Sequence, residues 1–258
     1  MTMKLTKGVL VLAGLALLAG CEEEETEVIE PVNIRGYIQK TNIDKGFVEV
    51  YPDRQPAGTT VRFDISSKIP VYFVKNGGGE VPLPIKDGVS QMKGLLGGVF
   101  SEFTVIDDDI SYFRDPAKPG NQNDWQQSSK LNQFYAKHGI EYGLVFAEGT
   151  AFWDPEMESD PEKMCANASS APYNGGLSIE IDPNTGLFST DHVAWVNLGN
   201  GQCEWDSDIV IHEMAHNLGL FNHFEPYYGK WSTAAEQVIR NLYSNPAGLT
   251  PENMLIVE

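Results

Sequence analysis

The stretch WDSDIVIHEMAHNLGLFNHF, residues 205–224, carries three of the chain's five histidines, at His212, His216 and His223. Its first part predicts a helix: Asp206 or Ser207 caps the start, apolar residues line one face, and Gly219 ends it. On that helix His212 and His216 lie one turn apart and about 40° around the axis, so both imidazoles reach one ion from the same face. Glu213 adjoins His212 and points elsewhere, yet its carboxylate can reach a water on that ion. Two neutral imidazoles, an open position and a carboxylate base are the donor set of a zinc hydrolase, so Zn2+ is the cofactor this spacing predicts.

Outward from this helix the chain alternates strands and helices. KIPVYFV, Lys68 to Val74, predicts a buried strand, and Val89, Met92, Leu95, Leu96, Val99 and Phe100 fall at helical spacing within 87–103. Residues 107–124 read as loop, 125–138 as a second helix and EYGLVFA, 141–147, as a strand. The stretch 149–175 is rich in Pro, Asn, Ser and Gly and reads as loop; GLSIEI and HVAWVNL follow as short strands. A last helix is predicted over 232–243, before NPAG. Residues 34–65 alternate polar and apolar (GYIQKTN, GFVEVYP, TTVRFDI) and predict a small antiparallel β unit with a hairpin near 44–46. The fold class expected is α+β, a mixed sheet backed by helices.

At 258 residues and 41% apolar content the chain holds a real core. Its net charge of −18 argues against nucleic acid or an anionic membrane surface as partner. The first residues have another purpose. Lys4 and Lys7 precede an apolar run, Gly8 to Ala19, too short to span a bilayer comfortably, and LAGC closes it at Cys21. This resembles the lipobox of bacterial lipoproteins, which implies lipidation of Cys21 and a membrane anchor in the cell envelope, facing periplasm or cell surface. Glu22 lacks the aspartate that resembles an inner-membrane retention signal, which favours the outer membrane. EEEETEVIEP then reads as a solvated tether. With Cys21 lipidated, Cys165 and Cys203 remain, and in an oxidising envelope compartment the two can pair.

HEMAHNLGLFNH resembles the signature of the metzincin clan of zinc endopeptidases, HExxHxxGxxH followed by a Met-turn. The resemblance covers about a dozen residues. It implies hydrolysis of peptide bonds in a protein or peptide substrate, with His212 and His216 as ligands, Glu213 as general base and Gly219 as a sharp turn. A strand near the active helix would pair with the substrate; LSIEI and HVAWVNL are the two candidates. Two departures stand out. Asn222 occupies the position of the family's third ligand, and His223 comes one residue later. An amide oxygen is a poor zinc donor beside an imidazole, which favours His223. Met254, in PENMLIVE, is the Met-turn candidate, although a methionine filling core space reads equally well.

Alternatives stay open. Glu236, twenty residues after His216, has the spacing of the helical glutamate in thermolysin-like gluzincins, and Glu225 is a weaker candidate. No aspartate follows Asp208, which sets an aspartate ligand aside. A surface lipoprotein that binds metal without turnover is the rival function, and Glu213 argues against it, since a binding site has no use for a base. DPNTG, 182–186, with Asp191 nearby, has oxygen-rich spacing reminiscent of a Ca2+ loop and reads better as a plain turn. The division expected is 1–20 signal peptide, 21–33 lipidated cysteine and tether, 34–66 β unit and 67–258 zinc metallopeptidase domain. Residues 22–65 are also where a segment occluding the site would lie.

Overall fold

The computed structural model describes residues 31–44, 49–50, 58–118, 120, 122 and 128–257. The lipobox with Cys21, most of the tether and most of the expected hairpin turn at 44–46 lie outside them. Among the described residues no helix is long and apolar enough to cross a membrane.

The first element corrects the sequence reading. Pro31–Ile38 is an α-helix, α1, which passes into a π-helical turn at Gln39–Ile43, where a strand was expected. Ile34, Ile38, Thr41 and Asn42 are its buried residues, at helical spacing. A short strand, β1 (Glu49–Val50), then β2 (Ile69–Lys75), helix α2 (Leu83–Leu95) and strand β3 (Phe100–Asp107) follow. The helix expected over 87–103 therefore starts earlier and stops sooner. Pro84 opens its first turn, and Gly97 and Gly98, both at positive φ, end it and release Phe100 and Phe103 into a strand.

Helix α3 (Ser128–His138), strand β4 (Gly143–Glu148), strand β5 (Ala166–Ser169), strand β6 (Ser178–Ile179), strand β7 (Val193–Leu198), helix α4 (Ser207–Asn217) and helix α5 (Thr233–Ser244) complete the order. Strand β5 lies inside the stretch read as loop. Strand β6 pairs in parallel with β1, away from the main sheet, in place of an antiparallel N-terminal unit.

The main sheet has five strands in the order β3-β2-β4-β7-β5, parallel except for β5, which runs antiparallel along one edge. Alternate residues divide its two faces. Val71, Phe73, Leu144, Phe146, Ala194 and Val196 face a core shared with α1, α2, α4 and α5. Val74, Val145, Ala147, Val193 and Trp195 face a second core with Phe113 and Phe134. Both faces being covered, the central strands read as nearly continuous apolar runs. A mixed sheet backed by helices is thus the architecture observed.

Helix α4 crosses α2 closely. A Cβ on Gly88 would meet Val210 Cγ1 at 2.7 Å, so glycine permits the approach. The α4 N-terminus is capped by Asp206, whose carboxylate accepts from the Ile209 N–H at 3.0 Å. At its other end the Tyr243 hydroxyl donates to Leu218 O at 2.9 Å, and Asn217 Nδ2 donates to Trp195 O at 2.8 Å. The helix is held to α5 and to the sheet at once.

His192 is buried between the rings of Phe63 and Phe188, at centroid distances of 5.3 and 5.1 Å, and its Nε2 has no hydrogen-bond partner. Burial pushes its pKa down to about 4, with Asp191 opposing. A folded pKa below the unfolded value means that the unfolded chain takes up the proton first, so stability falls as pH drops from about 6.5 to about 4. That shift corresponds to about 3 kcal/mol. We expect His192→Gln to shrink the stability loss between pH 7 and pH 4 by roughly this amount in urea unfolding; an identical loss in both proteins would show that His192 does not carry it.

Candidate metal centre

Helix α4 presents His212 and His216 one turn apart, and the chain then turns at Gly219, at φ +115°. A Cβ there would meet Asn42 Nδ2 at 2.9 Å and Leu242 Cδ2 and Val61 O at 3.1 Å, so both conformation and space require glycine. The returning loop brings His223 back against the helix. Nε2 of His212 lies 3.0 Å from Nε2 of His223 and 3.1 Å from that of His216, and the last two are 3.2 Å apart. Among the described residues these three form the one group of side chains able to hold a metal ion.

Three nitrogens, each about 2.0–2.1 Å from one tetrahedral Zn2+, lie about 3.3–3.4 Å apart, within a few tenths of an ångström of this triangle. The protonation states fit as well. Burial, followed by His223, pushes His212 down to about 4. Burial lowers His216 well below the usual histidine range, with both other imidazoles adding to it, and burial lowers His223. All three are neutral at pH 7. His216 Nδ1–H donates to Leu220 O at 2.5 Å, which leaves Nε2 as a bare lone pair facing the cluster. A cation is what three converging neutral imidazoles accept, and the residues fit zinc.

The ring beneath the cluster is Tyr227. Fully buried, it lies 4.6 Å from His212 and 5.5 Å from His216 and His223, centroid to centroid, and its hydroxyl donates to His212 O at 3.0 Å. The sequence reading passed over it, because nothing local distinguishes it from Tyr228 beside it. Met254 is buried in the main core, where its carbonyl accepts from Arg35 Nη2 at 3.1 Å.

Glu236 lies outside the cluster, at the first turn of α5, with Oε1 accepting from Trp231 Nε1 at 3.1 Å. Glu225 is exposed and also outside it. Asn222 turns away, its Nδ2 donating to Lys40 O at 3.0 Å. Asp182 accepts from Asn184 N–H and the Thr185 hydroxyl of its own turn, so the DPNTG stretch is a self-capped turn. His138 bonds Asp108 at 2.7 Å.

Glu213 stands beside the histidines in the same cleft. Burial raises its carboxyl to about 7, against the pull of the Ala168 N–H of β5. The cleft, about 690 Å³, is bordered by Ala166, Asn167 and Ala168 of β5, by Leu177 and Phe221, and by Lys40 and Asp44. The edge strand beside α4 is therefore β5; β7 is paired on both sides and β6 belongs to the small sheet. Cys165, immediately before β5, is joined to Cys203 in the loop before α4, with Cα atoms 5.7 Å apart. The bridge ties the cleft's edge strand to the approach of its helix.

No protein-family model matches the chain. Among curated proteins, a mannosyl-oligosaccharide alpha-1,2-mannosidase of Coccidioides posadasii (strain RMSCC 757 / Silveira) is 31% identical over 107 residues. That match covers 42% of this chain and 18% of the relative, so the chain spans about a fifth of that protein's length. Among solved structures, metalloproteinase-II from Bacteroides fragilis matches 77% of this chain and 55% of its own, with a TM-score of 0.33 and 15% identity.

Zinc titration against a chromophoric chelator tests the ligand set. His223→Ala should weaken zinc binding by more than the roughly 10–100-fold that loss of a supporting partner costs, while Glu236→Ala should leave it unchanged. The opposite pattern would transfer the third ligand to Glu236.

Proposed function

We propose that the chain is a zinc-dependent endopeptidase, anchored in the bacterial envelope, outer membrane favoured, through a lipidated Cys21. The observation that carries the reading is the trio of Nε2 atoms of His212, His216 and His223 within 3.2 Å of one another, with Glu213 beside them in one open cleft. When bound there, Zn2+ supplies a Lewis acid that polarises a peptide carbonyl and lowers the pKa of water.

The chain's own residues do the rest. His212, His216 and His223 hold the ion and leave a side open to the cleft, as a catalytic site needs and a structural one does not. Glu213, raised to about 7 by burial, has a proton affinity suited to taking a proton from water and returning it to a leaving amine. The Ala168 N–H of the edge strand opposes that rise. Substrate binding is supported by β5, which pairs with β7 on one side and borders the cleft through Ala166 to Ala168. An extended peptide can add to such an edge by main-chain hydrogen bonds. The lipobox and acidic tether support a surface or periplasmic position; the net charge of −18 speaks against nucleic acid.

The purified chain, loaded with zinc, should cleave an unfolded-protein substrate. Glu213→Gln should lower that rate about 10²–10⁴-fold while zinc binding stays at the wild-type level. Cleavage equal in both proteins, or none by zinc-loaded wild type, would sink the assignment.

A further inference from the structure

Two consecutive residues of the π-helical turn, Thr41 and Asn42, are fully buried against the segment that carries the chain from α4 to His223. Thr41 O accepts from Phe221 N–H at 2.9 Å and Asn222 N–H at 3.2 Å. The Thr41 hydroxyl donates to Asn222 O at 2.6 Å. Asn42 Nδ2 donates to Gly219 O and to Val61 O, both at 2.8 Å, and its Oδ1 accepts from Val61 N–H at 2.9 Å. The Asn222 side chain closes the set on Lys40 O.

Four main-chain groups of the return segment, at 219, 221 and 222, are thus satisfied by a turn nearly 180 residues away in sequence. Among the described residues the only polar atoms within hydrogen-bonding distance of the His223 ring are the Nε2 atoms of the two other imidazoles, so ring packing on Tyr227 and Tyr228 and its neighbours in the chain set its position. Downstream, the tight turn that bonds Phe224 N–H to Tyr227 O does so; upstream, Thr41 and Asn42 do. The residue that lengthens the loop, Asn222, is the one most heavily bonded to this turn. Lys40 and Asp44 border the cleft, yet the turn's bonds run to loop backbone and to Val61, not to the histidines or Glu213. Its geometry is that of a brace and not of a plug.

We propose that Thr41 and Asn42 are positioning residues for the third metal ligand: they take up the extra residue at Asn222 and fix His223 beside His212 and His216. The proposal rests on the metal-site reading above. It is distinct from that reading because it assigns metal affinity to a segment that touches no ion.

The test uses the purified full chain, stripped by a chelator, with Co2+ as the spectroscopic probe and Zn2+ in competition. Thr41→Val and Asn42→Leu should each weaken Zn2+ binding about 10–100-fold and change the Co2+ visible spectrum, in protein whose circular dichroism matches wild type. Thr41→Ser, which restores the hydroxyl, should recover both. Folded variants with wild-type affinity and spectrum would make the two residues merely structural and overturn the brace. Should Asn42→Leu fail to fold, the Thr41→Val and Thr41→Ser pair decides alone, since it removes and restores a single bond. Wild type that takes up neither metal would overturn the metal reading and the brace with it.

Discussion

Three neutral imidazole nitrogens held 3.0 to 3.2 Å apart set the demand that the rest of this fold meets. Lone pairs facing one another at this range repel unless a cation lies among them, so keeping them this close falls to the backbone around them. One side of the triangle comes free, since a helix spaces His212 and His216 by itself. The other two depend on bringing a loop residue back within a few tenths of an ångström, a tolerance loops reach only when their own groups are tied down. The helix is accordingly fixed by an N-terminal cap, by the close crossing at Gly88, and by Tyr243 and Asn217 at its end. The loop is fixed by Gly219, by Leu220 O on His216, and by the π-helical turn.

What could be read from the sequence was what local rules decide. The capped helix, its glycine stop, the histidine pair and the apolar strands β2, β4 and β7 each carry their signal within about ten residues. The N-terminal helix did not, because GYIQKTN alternates by polarity while its buried residues, Ile34, Ile38, Thr41 and Asn42, recur at helical spacing and are half polar. Buried polar residues are invisible to a hydrophobic pattern, and their partners at 219–222 are remote in sequence. Strand β5 was hidden for a related reason. ANAS has no strand-forming side chain; it is extended because β7 offers a ladder, and because Asn167 and Ser169 are held by Asn174 and Asn197. Helix α2 was overrun because apolar spacing continues through Phe100, although two glycines at positive φ break the backbone first.

The edge strand and Glu213 meet in one cleft. Ala168 lies on the strand that borders the cleft, and its backbone opposes the rise that burial gives the Glu213 carboxyl. The disulfide at Cys165 and Cys203 anchors the start of that strand to the loop entering α4, so the two elements that face each other across the cleft share a covalent tie. A short edge strand with few apolar side chains has little packing to hold it, and a cross-link between residues 38 apart compensates by restricting the unfolded chain.

Residues 31–44, the first described part of the stretch in which an occluding role was expected, pack into the core. Ile34 and Ile38 pack in the same cluster as Met214 and Ala215 of the active helix, and Arg35 donates to Pro251 O and Met254 O. The C-terminal stretch is in turn zipped to α5: Asn245 exchanges hydrogen bonds with Leu255 and Asn241 with Val257. Release of residues 31–44 would strip apolar side chains from the main core, unpair the buried Asn42 and loosen the loop that carries His223. The polypeptide between the acidic stretch and the cleft is therefore a structural lever: it enters as a helix against the C-terminal segment and ends as the turn that holds the return loop in register. The candidate metal centre is built from one contiguous motif, but the return of His223 leans on a turn about 180 residues away in sequence.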